Sequence, residues 1–252
     1  MTEITMLAKA KNKSHGFTLA ELAIVLLIVG LLLAGALVPL SSQVEQKRIS
    51  ETQKSLEEIK EALIGFAIVN RRLPCPDTNN DGVADPATPG ACPQLFGNVP
   101  WQTLGTPQFD AWGTPFRYQV TNVSSSAYTT AIMLPPAVAS ADLHVCASAT
   151  SPAVTATTCG AGAAGTANTL IADAPAVFYS MGSNGTQWLS GGIIPASADE
   201  KENANLVSNT NLVFVNHVKT GAGSVSGEFD DIVSWLPPNI LFSRMVAAGR
   251  LP

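Results

Sequence analysis

GFTLAELAIVLLIVGLLLAGALVPL, running from Gly16 to Leu40, sets one acid, Glu21, inside an otherwise apolar run that starts directly after a basic leader. An unpaired acid at membrane depth costs at least ~2.5 kcal/mol even on lenient insertion scales. That acid therefore separates an ordinary signal anchor from a helix built to meet a partner. The run from Phe17 to Leu40 is 24 residues long, and at ~1.5 Å per residue it reaches ~36 Å, enough to cross a bilayer. A secretory signal would carry a shorter apolar core and a small-residue cleavage site. Here Val38-Pro39-Leu40-Ser41 runs on into a helical pattern. Lys9, Lys11 and Lys13 precede the run against Glu3 alone, so the positive-inside rule predicts a cytoplasmic N-terminus with everything beyond residue 40 outside a bacterial inner membrane.

Past the apolar run the helix is expected to continue. Ile49, Leu56, Ile59, Leu63, Phe66 and Val69 recur at helical intervals, with Glu45, Lys54, Glu57, Glu58 and Glu61 on other faces. Leu73-Pro74-Cys75-Pro76 cannot prolong a helix, which places the stop near Asn70. The whole chain has 252 residues, 46% hydrophobic and 13% charged, with a net charge of -5. That supports one sizeable core. Apart from Lys47-Arg48 and Arg71-Arg72 the mature cations are scattered, so the basic footprint of a nucleic-acid binder is missing.

Gly16-Phe17-Thr18-Leu19-Ala20-Glu21 behind its basic leader resembles the prepilin motif of type IV pilins and type II secretion pseudopilins. The resemblance implies cleavage between Gly16 and Phe17 by a membrane aspartyl peptidase, N-methylation of Phe17, and pairing of Glu21 with the N-terminal amine of a neighbouring subunit during filament assembly. Pro39 departs from it, lying one residue later than in many type IV pilins. Asp110-Ala111-Trp112-Gly113-Thr114-Pro115-Phe116 and Val177 to Gly185, followed by Asp230-Asp231-Ile232-Val233-Ser234-Trp235, are similar to head segments of the major pseudopilin. They imply a calcium site at Ser180, Asn184, Asp230 and Asp231. Asn184 stands where that family has an aspartate, and the paired acids could equally cap a helix or turn.

The resulting expectation is an α+β, pilin-like fold: a leader over residues 1–16, a membrane and filament-core helix over 17–40, an amphipathic helix over 41–70 and a head over 71–252, built on a small antiparallel sheet. Pro115 to Val120, Ala176 to Ser180 and Asn211 to Val215 read as strands, and Asn239 to Ala248 reads as a closing helix. Residues 136–170, rich in Ala, Ser, Thr and Gly, read as a surface insertion too poor in large side chains to build a core. The large head with its insertion points to a minor or specialised subunit of a pilus or pseudopilus. Its partners would be other subunits, the prepilin peptidase and methylase, the inner-membrane assembly platform and the membrane itself. The competing class is a signal-anchored periplasmic enzyme or binding domain, which has no need of Gly16-Phe17 with Glu21.

Cys75, Cys92, Cys146 and Cys159 match no zinc spacing, and an oxidising periplasm favours disulfides. Of the three pairings, the local one, Cys75 with Cys92 and Cys146 with Cys159, holds two loops that otherwise lack support. Within the first loop, Asp77, Asn79, Asp81 and Asp85 occupy positions one, three, five and nine of a pattern with Gly82 at six, the start of an EF-hand-type calcium loop. Thr88 replaces the bidentate Glu at twelve, and an Asx-rich turn would use the same residues. His144 and His217 have no sequence-adjacent nucleophile, so no catalytic site is expected. Trp101, Trp112, Trp188 and Trp235 fit packing better than a stacking platform.

Overall fold

The computed structural model describes residues 16–121, 128–133, 141–150, 154–160, 168–189, 197–204, 211–224 and 227–251, and of residues 34–41 the backbone alone. The chain divides into two units, Met1–Lys47 and Arg48–Pro252. Helix α1, Leu19–Asn70, begins in the first and ends in the second. In the first unit the apolar side chains of residues 17–33 are solvent-facing, Leu19 at 89% and Leu31 at 74% exposure. Among the described residues no helix is long and apolar enough to cross a membrane. Residues 17–33 reach only ~25 Å of the ~30 Å needed, and the rest of the expected span lies outside the described side chains.

In the second unit, α1 buries Thr52, Leu56, Ile59, Leu63, Ile64 and Ala67 and leaves Glu57, Glu58 and Glu61 in water. Val69, expected on the apolar stripe, is exposed, because the helix is about to end. The stop uses no glycine. Arg71 takes a left-handed φ of 55°, held by its N–H donating to the Ala67 carbonyl at 2.8 Å while its own carbonyl accepts from Ile132 N.

The buried helix face packs on a four-stranded antiparallel sheet made of β1 (Phe96–Asn98), β2 (Arg117–Val120), β5 (Ala176–Ser180) and β7 (Ile232–Leu236), in the order β1-β2-β5-β7. Short helices α2 (Trp101–Leu104) and α3 (Gly185–Leu189) follow β1 and β5. The closing helix α5 (Pro238–Ala247) buries Leu241 and Met245 in the same core, with Tyr118, Val120, Ala176 and Phe178. On the other face Val177, Tyr179 and Val233 meet Leu143, Val145, Ala174 and Phe214. Strand β5 is buried along its whole length because alternate side chains serve two cores.

That second core corrects the expectation for residues 136–170. Leu143–Cys146 forms strand β3, whose Leu143, Val145 and Cys146 are fully buried. It lies at the centre of a second sheet, between β4 (Thr169–Ala174), antiparallel to it, and β6 (Val213–Val215), parallel to it. The head is therefore a helix layer on an antiparallel sheet on a mixed sheet, where the sequence suggested one small antiparallel sheet. The stretch is poor in large side chains, but its partners supply them. Strands β4 and β5 are separated by Pro175 alone and belong to different sheets; the Pro175 carbonyl accepts from Thr121 N at 3.0 Å. Disulfides join Cys75 to Cys92 and Cys146 to Cys159, so the second bridge ties β3 to the loop after it.

Candidate functional site

At the start of the described chain, Phe17 is 84% exposed and Thr18 stands just before α1. Glu21 is the third helical residue. Its Oε2 accepts from both the Thr18 N–H and the Thr18 hydroxyl at 2.8 Å, and the Thr18 Oγ1 in turn accepts from Glu21 N at 3.3 Å. This is a reciprocal capping box, in which two otherwise unpaired helix-end donors are satisfied. The carboxylate is thus seated on the chain's own N-terminal turn, one residue from Phe17.

The Asp77 loop satisfies itself. Asp77 Oδ1 accepts from Asn79 N and Asn80 N, and its Oδ2 accepts from Gly82 N at 2.9 Å. Gly82 sits at φ 82°, with the Trp101 ring where a Cβ would go, so only glycine closes this turn. Asn79 and Asp81 accept from Asp81 N and Val83 N, and Asp85 takes Thr78 N, the Thr78 hydroxyl and Asn79 Nδ2. The bonds from Thr78 hold the Asp85 carboxyl below its usual range. Each of the four side chains thus accepts a backbone N–H of its own loop.

A different set of acids converges at the top of β7. Glu200, on helix α4 (Ala198–Ala204), brings one oxygen within 4.8 Å of an oxygen from Asp230 and one from Asp231, and all three residues are buried. Among the described residues this is the one such group of three acids, histidines or cysteines. Glu200 Oε1 accepts from Asp230 N, and its Oε2 from Asn184 Nδ2, both at 3.0 Å. Asp230 Oδ2 accepts from the N–H and hydroxyl of Ser183, whereas its Oδ1 is buried with no hydrogen-bond partner. Gly182, at φ 62°, makes room for it: a Cβ there would fall 2.4 Å from that oxygen.

Burial pushes the Glu200 carboxyl up to about 7, the bond from Asp230 N opposing it and the Asp230 charge adding to it. Asp231 is raised well above its usual range, again chiefly by burial, with the Glu200 and Asp230 charges adding. Buried acids this close relieve their mutual repulsion either by holding protons or by sharing a cation. The orphaned oxygen, the room made by Gly182 and an all-oxygen donor set fit a hard divalent cation such as calcium. A cavity of about 470 Å³ beside Asp230 and Asp231, bounded by Gln53 and the Asn216 to Lys219 loop, offers a way in from solvent.

Ser180 is not part of this cluster. Its hydroxyl donates to Asp110 Oδ2 at 2.5 Å, while Asp110 Oδ1 accepts from Trp112 N and Thr114 N, so Ser180 pins the Asp-x-Trp-Gly turn to β5. Sequence reasoning missed Glu200, which lies in a polar stretch, ADEKENA, that reads as a solvated helix. His217 is structural: its Nε2 lies 3.1 Å from Asp199 Oδ2 and its ring stacks on Phe229. Trp188 and Trp235 pack against the second core.

Residues 11–37 match the family model described as the prokaryotic N-terminal methylation motif. That motif is the signature of type IV pilins and pseudopilins and indicates processing by prepilin peptidase. No curated protein and no solved structure matches the chain.

Proposed function

We propose that a chain bearing this motif is a structural subunit, minor or specialised, of a type IV pilus or type II secretion pseudopilus. It is held in the inner membrane by residues 17–40 with the head outside, cut between Gly16 and Phe17, methylated on Phe17 and drawn by the assembly platform into a filament. Its role is assembly rather than catalysis. The observation that carries this reading is Glu21, an acid placed one turn into an exposed apolar helix directly behind the Gly-Phe junction. An ordinary anchor gains only a helix cap from that acid, which an uncharged Gln would also supply, whereas a helix passing from lipid into a bundle can use the charge to find its register. Mass spectrometry of the membrane-extracted protein should give a chain beginning at Phe17 and heavier by one methyl group. An intact Met1, or a cut beyond Pro39, would refute the assignment.

Within the head, Glu200, Asp230 and Asp231 are read as a calcium centre, supported by the unpartnered Asp230 oxygen and the converging acids. A ligand present at a hundred times its dissociation constant stabilises by ~2.7 kcal/mol, which for a domain of this size is roughly 5–10 °C. Adding calcium to the chelator-stripped chain should raise its melting temperature by about that amount. An unchanged melting temperature at millimolar calcium would remove the centre from the proposal.

A further inference from the structure

Helix α4 buries Asp199, Glu200, Asn203 and Ala204, so a single methyl group is its whole apolar contribution. Seven residues with no hydrophobic face do not hold a helix in place by themselves; polar attachments must do so. Of these, two reach the acid cluster: Asn203, whose amide donates to Asp231 Oδ2, and Glu200, which brings a carboxylate to it. Together with Asn184 and Asp231, Glu200 lines a cavity of about 10 Å³, room for one water-sized sphere. Glu200 and Asn184 are a carboxylate and a carboxamide hydrogen-bonded at 3.0 Å, and of these two only Glu200 carries a charge.

The geometry points to Glu200 as the residue that sets the charge of the cation centre, supplying the carboxylate that Asn184 does not, so that the bound cation fastens α4 to the start of β7. This rests on the calcium reading of the cluster. Two of the acids are neighbours in sequence and reach the site from one strand end; the third arrives from thirty residues earlier. Hydrogen bonds from Asp230 N to Glu200 and from Asn203 to Asp231 already close this long loop, so a cation would reinforce the closure, and without it an ionised Glu200 adds like charge beside Asp230 and Asp231. One side chain is thus unfavourable in the cation-free head and favourable in the loaded one.

That double sign is the test, made on the detergent-solubilised full chain with calcium chloride alone as the probe. Calorimetric titration of E200Q should show calcium affinity reduced about tenfold or more, since affinity at such sites follows the number of charged ligands. In chelator, E200Q should melt no lower than wild type, and in excess calcium it should melt lower; a purely structural Glu200 would lower both. Moving the charge back across the cavity with N184D/E200Q should restore affinity to within about threefold of wild type. Equal affinity in E200Q and wild type, or no rescue by the double variant, would overturn the assignment of Glu200 while leaving the centre intact. Absence of calcium uptake by the wild-type chain would overturn the calcium reading itself, and this inference with it.

Discussion

Glu21→Gln is expected to leave the chain cleaved after Gly16 and stable in the membrane, yet to cut its recovery in sheared filaments about a hundredfold. Glutamine is the informative replacement because the capping box accepts Glu or Gln at this position. The bonds with Thr18 survive and only the charge is lost. If Glu21 serves the helix end alone, Gln should behave as wild type, and Ala should cost no more than ~1 kcal/mol of local helix stability. If the carboxylate pairs with the Phe17 amine of an incoming subunit, either variant carries that amine into an apolar bundle unpaired. Breaking a buried pair in this way costs ~3–5 kcal/mol, and ~1.4 kcal/mol is a factor of ten. Recovery of Glu21→Gln at the wild-type level, in a strain lacking the wild-type copy, would exclude the pairing and favour an anchored domain that does not polymerise.

Asn203→Ala should be the most damaging single change in the head, lowering its melting temperature by roughly 10 °C or more. Asn203 is completely buried. Its amide donates to the Val215 carbonyl at 3.0 Å and to Asp231 Oδ2 at 2.8 Å, and its Oδ1 accepts from Val215 N at 2.7 Å. Alanine removes all three bonds and leaves both polar groups of a β6 residue, and an acid, without partners. Each orphaned buried group costs ~1–3 kcal/mol. Asn203→Asp should be no milder, for it keeps the acceptor but sets another acid against Asp231. Melting curves recorded in calcium and in chelator separate this loss from any change in cation binding. A fall below about 3 °C in both would mean that water reaches these groups and that Asn203 does not fasten α4 to β6.

The apolar layout of the head was legible because hydrophobic periodicity reports burial against apolar neighbours. Leu56, Ile59 and Leu63 advertise the inner face of α1, Leu73-Pro74 its stop, and Ala176 to Ser180 a strand running between turns. Leu143–Cys146 was hidden for a physical reason: four residues in an Ala-rich and Thr-rich stretch become a central strand only when Thr169–Ala174 and Val213–Val215 arrive on either side. Asp230 and Asp231 could be named through the resemblance of their segment to the pseudopilin head. Glu200 could not, since a buried acid is specified by distant partners, here Asn184 and the Asp230 N–H, and its own neighbours, Lys201 and Glu202, argue for solvent. Ser180 enters the candidate set on that same resemblance, whereas Asp110, seventy residues earlier, claims its hydroxyl.

The single residue between β4 and β5 bears on how the head meets mechanical force. Because Pro175 alone separates a strand of one sheet from a strand of the other, the two sheets cannot slide past each other by more than one peptide unit's reach without tearing edge hydrogen bonds. Tension applied to the helix layer enters the antiparallel sheet through Ile59 and Leu63 and crosses at Pro175 into the sheet stiffened by Cys146–Cys159. A head wired in this way passes a pull on its helix to both sheets rather than to one alone.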